Sequence, residues 1–281
     1  MLRGAGAGSG ATVERPVIRR FRTIWLSDIH LGTRGCRVEA LLDFLSAHEC
    51  EFLYLVGDII DFWRLKRSPY WPQTHSDVVR RVLAMARQDT AVTFVPGNHD
   101  EYVRRFCDLE LGNILVVREA VHRTADGRLL LVLHGDEFDA VTRCHRWAAA
   151  LGDVGYEVLM PLNRWFNRAR RLLGFGYWSL ASYVISRVNR AVEYVGDFER
   201  AVAHEAMRRS MDGVICGHIH KAELRPMGRL LYGNAGDWVD SCTALVESAD
   251  GTLALLTATS RVDQQVGTGG GSDLQHYEFR S

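Results

Sequence analysis

One carboxylate and one imidazole, Asp28 and His30 in SDIH, open a series of five short polar segments. The others are GDIID with Asp58 and Asp61, GNHD with Asn98, His99 and Asp100, HGD with His134, and GHIH with His218 and His220. Oxygen and imidazole donors without a thiolate suit divalent ions such as manganese, iron or zinc. About three to four such groups per ion suffice for two metals that share one carboxylate. Two such ions lower the pKa of a water between them and neutralise phosphoryl oxygens during in-line displacement. Singly, each segment has an ordinary reading, because an Asp after a strand often caps a turn and a His beside Gly often lies in one. Five together, each after an apolar run, point to one metal-dependent site.

The elements that must position these residues are short β-branched and aromatic runs: Thr23 to Leu26, Phe52 to Val56, Ala91 to Val95, Leu129 to Leu133 and Gly213 to Cys216. Each reads as a buried strand, and the polar residues follow its carboxyl end. Helical patterns over 38–48 and 77–87 make the early half a series of β-α-β crossovers, so these ends face one crevice. Later runs, Leu230 to Tyr232, Thr243 to Val246 and Thr252 to Leu256, have hairpin spacing. The fold class expected is α/β (α+β), a mixed-sheet sandwich.

Residues 140–210 break this rhythm with a helical insertion. Leu162, Trp165, Phe166, Ala169, Leu172 and Leu173 recur at helical spacing beside a stripe of Arg164, Arg168 and Arg171. This surface could line an acyl groove or lie on an anionic membrane, or could pack on its own domain. The organisation expected is a flexible segment over 1–21, one domain over 22–260 that includes the insertion, and a flexible tail over 261–281.

The 281 residues carry 34 Lys+Arg against 34 Asp+Glu, which removes the electrostatic footprint of a non-specific nucleic-acid binder. Cys36, Cys50, Cys107, Cys144, Cys216 and Cys242 form no CxxC pair, so reduced thiols in the cytoplasm are expected. No secretory leader, membrane span or obligate protein partner is expected.

In order, SDIH, GDIID, GNHD, HGD and GHIH resemble the motifs of the calcineurin-like metallophosphoesterase superfamily. The resemblance implies a two-sheet β-sandwich flanked by helices and two divalent ions, manganese first, with iron or zinc as alternatives. It implies one ion on Asp28, His30, Asp58 and His220, and another on Asp58, Asn98, His134 and His218, with Asp58 bridging. His99 would lie by the reacting phosphate, to stabilise its charge or protonate the departing oxygen. Asp61 or Asp100 would orient imidazole rings, although Asp61 could equally cap the next turn and Asp100 start a helix.

Beyond the motifs, Phe62-Trp63 after GDIID, HGDEFD, the insertion before GHIH and YGNAGDWVDSCTALVE resemble the UDP-2,3-diacylglucosamine pyrophosphatase branch over about residues 22–257. That branch releases UMP and a diacylated sugar 1-phosphate in lipid A synthesis, with acyl chains under a helical lid. It implies an acylated UDP-sugar substrate, Arg164, Trp165 and Arg168 as substrate contacts, Trp63 as either a substrate contact or a lid-packing residue, and peripheral contact with the cytoplasmic membrane. One residue departs: the best-known members have Arg after the Asn of the third motif, where this chain has His99. A soluble nucleotide or phosphodiester substrate is the alternative, and a non-catalytic metal-binding scaffold a weaker one.

Overall fold

Alternation along the strands sorts the apolar side chains into three layers. In the computed structural model, which describes residues 18–138, 195–258 and 275–276, β1 (Arg19–Leu26) runs parallel to β2 (His48–Val56), and β2 to β3 (Ala91–Val95). Successive side chains on a strand point to opposite faces. Ile24 and Leu26 of β1, with Leu53 and Leu55 of β2, therefore pack beneath helices α1 (Val38–Ala47) and α3 (Gln73–Arg87), while Trp25, Tyr54 and Val56 turn the other way. Fully burying a side chain of this size is worth about 1.5–3 kcal/mol.

The second face of that sheet meets a second sheet. Its strands are β6 (Ala120–Arg123), β7 (Leu129–Val132), β8 (Gly213–Cys216), β9 (Glu223–Met227) and β10 (Leu230–Asn234), in the order β6-β7-β8-β10-β9. Leu130, Val132 and Ile215 face Trp25 and Tyr54 between the sheets. Leu131, Val214 and Cys216 face outward, against Phe198, Val202 and Ala206 of the helical residues 195–208. The larger sheet is completed by β4 (Glu110–Leu111), β5 (Ile114–Val116), β11 (Thr243–Glu247), β12 (Leu253–Thr257) and β13 (Gln275–His276), in the order β13-β12-β11-β1-β2-β3-β5-β4. The fold is thus the expected mixed α/β sandwich of two sheets flanked by helices.

Several boundaries differ from expectation. β1 begins at Arg19, inside the segment expected to be flexible, because Arg19 to Phe21 pair with His48 to Cys50 although their composition carries no strand signal. β13 pairs with Ala254 and Leu255 from within the expected tail. α3 starts one turn before Asp77, and α1 ends at Ala47 because His48 is already extended and opens β2. Strands β4, β5, β6 and β9 were not expected: they are short and lie toward sheet edges, and β9 contains Pro226, which edge positions tolerate. Of the insertion, 195–208 is helical, and 140–194, with Arg164, Trp165 and Arg168, lies outside the described residues.

A polar cluster closes the sandwich toward the amino end of β1. Buried Glu247 accepts from Thr23 Oγ1 at 2.5 Å, from Ala125 N at 2.7 Å and from Arg22 Nη1 at 2.9 Å, and His122 Nε2 lies 2.9 Å away.

Candidate metal centre

The five polar segments all follow parallel strands, β1, β2 and β3 in one sheet and β7 and β8 in the other, so their first residues meet at one end of the sandwich. The chain must turn sharply there. Asp28, His30, Asp58, His218 and His220 all have left-handed backbone, with φ between 50° and 70°. Such a conformation costs an L-residue roughly 1–2 kcal/mol. Backbone bonds between segments hold it in place: Asp28 N donates to Gly57 O at 3.0 Å, His30 N to Asp58 O at 2.9 Å, and Trp238 N to Asp28 O at 3.1 Å.

Each of the two central carboxylates is divided between anchoring and presentation. Asp28 Oδ2 accepts from His218 N at 2.8 Å and from Ser27 Oγ, leaving Oδ1 buried without a hydrogen bond. Around Oδ1 lie His220 Nε2 at 3.2 Å, His134 Nε2 at 3.6 Å and His30 Nε2 at 3.9 Å. Asp58 Oδ1 accepts from His99 N at 2.7 Å, and its Oδ2 faces His99 and His134 Nε2 at 3.8 Å and His30 Nε2 at 3.9 Å. Two glycines make this approach possible: a Cβ on Gly217 would collide with Ser27 Oγ, and one on Gly97 would collide with Asp58 Oδ1.

Three groups of donor atoms, each within 4.8 Å of one another, result: Asp28, His30 and His220; Asp58, His134 and His218; and His30, Asp58 and His99. The first two keep Asp28, His30 and His220 apart from Asp58, His134 and His218, and Asp58 is absent from the first. The third places His99 nearer the donors than a phosphate contact alone requires. Asn98 Oδ1 is buried and unbonded, as are Asp28 Oδ1 and His134 Nε2. Buried polar atoms are nearly always paired, so Asp28 Oδ1 and His134 Nε2, 3.6 Å apart and without partners, fit a cation beside them.

The surrounding charge agrees. Burial disfavours ionised Asp28, but His220 and His134 outweigh it and hold the carboxyl well below the usual range. Burial likewise opposes protonation of His134, yet Asp58, Asp136 and Asp28 raise its pKa well above the ordinary value. A site in which carboxylates force protons onto imidazoles is one where a cation can replace those protons.

Outer carboxylates orient the rings. Asp61 Oδ2 lies 3.0 Å from His99 Nδ1 and 3.3 Å from His30 Nδ1, while Oδ1 accepts from Arg64 N at 2.8 Å and so caps α2 (Phe62–Arg67). Asp61 thus lies beside two imidazoles and caps α2. Asp100 does neither: its carboxylate does not cap the 3-10 turn 101–106 and makes no hydrogen bond to an imidazole. It accepts instead from Gly97 N at 2.6 Å, Ile59 N at 2.7 Å, and Asp58 N and Ile60 N at 3.3 Å, which ties the second segment to the third. Burial and the neighbouring Asp58 push its pKa up to about 6.

Asp136 was not singled out from the sequence, although it closes the HGD motif. Its Oδ1 lies 3.2 Å from His134 Nδ1, and Arg104 Nη2 grips both of its oxygens at 2.7 Å. Trp63, 41% exposed, lays its ring 4.4 Å from that of His99 at 37°, at the rim of the cluster.

A family model described as calcineurin-like phosphoesterase matches residues 21–222. UDP-2,3-diacylglucosamine hydrolase of Porphyromonas gingivalis is 26% identical over 270 residues, spanning 82% of this chain and 98% of that one, and that of Vibrio vulnificus is 24% identical over 257 residues, spanning 82% and 95%. The Blochmanniella pennsylvanica protein of that name is 28% identical over 116 residues, about half the length of either chain (40% and 46%). Among solved structures, Vps29 of Entamoeba histolytica is similar over 92% of this chain and 99% of that one, at 14% identity and a TM-score of 0.44. The model match takes in all five motifs and most of the chain, and the chain belongs to the calcineurin-like phosphoesterase family, metal-dependent hydrolases of phosphoester bonds.

Proposed function

We propose that the chain hydrolyses the pyrophosphate bond of UDP-2,3-diacylglucosamine, releasing UMP and 2,3-diacylglucosamine 1-phosphate for lipid A synthesis. The observation that carries the hydrolytic part is a pair of buried atoms without hydrogen bonds, Asp28 Oδ1 and His134 Nε2, 3.6 Å apart beyond the ends of β1 and β7. The names of the relatives aligned along nearly their whole length support the substrate.

In this reading Asp28, His30, Asp58 and His220 hold one ion, and Asp58, Asn98, His134 and His218 the other. Two bound manganese ions supply Lewis acidity that makes water nucleophilic at neutral pH and offsets charge on the phosphoryl oxygens. Asp58 spans both sets because one oxygen is anchored by His99 N and the other faces three imidazoles. His99, with Nδ1 held toward Asp61, presents Nε2 to the reacting phosphoryl group, where it stabilises charge or delivers a proton to the departing oxygen. Trp63 stacks behind His99 and offers its exposed face to substrate.

The acyl chains are assigned to the insertion, with Arg164, Trp165 and Arg168 among their contacts, and the enzyme to the cytoplasmic face of the membrane. No helix among the described residues is long and apolar enough to cross a bilayer. The test is a manganese-supplemented assay of UDP-2,3-diacylglucosamine against a non-acylated UDP-glucosamine and simple nucleotides. Strong preference for the acylated substrate, reduced selectively by Trp165→Ser with Leu172→Ser, is the expected result. Equal turnover of all of them would transfer the reading to a soluble nucleotide or phosphodiester, which His99 in place of the branch's Arg already favours.

A further inference from the structure

A cavity of about 410 Å³ is lined by His30 and His220 of the donor cluster and by Arg34, Arg64, Ser68 and Tyr70. Its volume lies in the range of small-ligand sites. Arg34 stands in the GTRG turn after the first motif, and Arg64 in α2 after the second, so both reach the cavity from segments that also carry donors.

The charge here is unbalanced. Among the described residues, neither guanidinium has a carboxylate partner. The one acidic side chain lining the cavity, Asp61, has its oxygens engaged by His30, His99 and Arg64 N. Arg34 lies over the ring of Tyr70, 4.4 Å from guanidinium carbon to centroid. Attraction to the ring face restrains the guanidinium without consuming its N–H donors in hydrogen bonds. Two guanidinium groups and the Ser68 hydroxyl lining one cavity make a receptor for a tetrahedral anion, since planar forks of donors match phosphate oxygens two at a time.

We infer that Arg34 and Arg64 form the subsite for a second phosphoryl group, next to the one that reacts at the donor cluster. These arginines then discriminate the phosphoric anhydride already proposed as substrate from a monophosphate ester. The inference rests on the phosphoester-hydrolase reading for the place of the reacting group, but not on the sugar or the acyl chains.

The test is equilibrium binding by calorimetry of α,β-methylene-UDP, which resists hydrolysis, and of UMP, to the metal-loaded protein. Wild type is expected to prefer the diphosphate by at least tenfold. Arg34→Gln with Arg64→Gln should remove most of that preference by weakening the diphosphate alone, whereas Arg67→Gln, of equal charge change on the same helix but outside the cavity, should keep it. Unchanged preference in the double variant, or equal weakening of both ligands, would overturn the subsite. Parallel turnover assays keep the two readings apart. A wild type that hydrolyses no phosphoester but shows the arginine-dependent preference defeats the proposed function and supports the subsite. An active enzyme with an arginine-independent preference does the reverse.

Discussion

His134 and Asp136, two residues apart, face each other with Nδ1 3.2 Å from Oδ1, and the far nitrogen of the ring is thereby aimed at Asp28 and Asp58. Arg104 holds both oxygens of Asp136, so the carboxylate cannot swing away. A carboxylate behind a ligating histidine fixes its tautomer and direction. Asp136→Ala is expected to weaken metal binding by about 10–100-fold in a chelator competition titration. Unaltered affinity would show that packing alone orients His134.

Asp58→Ala is expected to lower bound metal at both positions and to reduce turnover further than Asp28→Ala or His218→Ala. Asp58 Oδ2 is the atom near His30, His99 and His134 together. Elemental analysis of the purified variant decides the point: two retained ions would refute the bridging role.

For His99→Ala, retained metal and a loss of about 10²–10⁴-fold in kcat are expected, the usual worth of a positioned acid or base. Since His99 also falls within one group of possible ligands, the measurement separates the roles. Loss of one ion would make His99 a ligand.

Gly97→Ala tests how tightly the second and third motifs are packed. The added Cβ would strike Asp58 Oδ1 and come within 2.5 Å of His134 Cε1. A folded protein with impaired metal binding is expected, and wild-type affinity would mean that the loop yields freely.

At the other end of the sandwich, burial would raise the pKa of Glu247, but bonds from His122, Thr23 and Ala125 N outweigh it and hold the carboxyl below its ordinary value of 4.5. Its folded pKa is depressed, so its contribution to stability is present above the unfolded value and is lost as pH falls through the folded one. Glu247→Gln is expected to cost about 1.5–3 kcal/mol at pH 7, since partly buried Arg22 and buried His122 lose a charged partner. Urea melts at pH 7 and pH 4 should show wild type losing more of its stability on acidification than the variant. Equal losses would remove Glu247 as the source.

By itself the sequence determined the candidate metal-ligating side chains and the strands that carry them. Asp28, Asp58, Asn98, His134 and His218 each follow an apolar run whose period and length are local properties, and those runs are β1, β2, β3, β7 and β8. The family motifs were legible for the same reason, as short contiguous strings. Only the tertiary structure decided the partnerships between strings. Asp136 escaped notice because a carboxylate beside a histidine has no meaning until Arg104 and the ring's direction are known. Asp100 looks like a helix start in the chain, yet its oxygens bind backbone some forty residues away, at Asp58, Ile59 and Ile60. Short edge strands such as β5 and β9 escaped too, because pairing with a neighbour rather than their own composition makes them strands. Arg34 and Arg64 are ordinary surface residues by type. They acquire a role when the fold sets them around one cavity, because electrostatic recognition depends on distance in space and not along the chain.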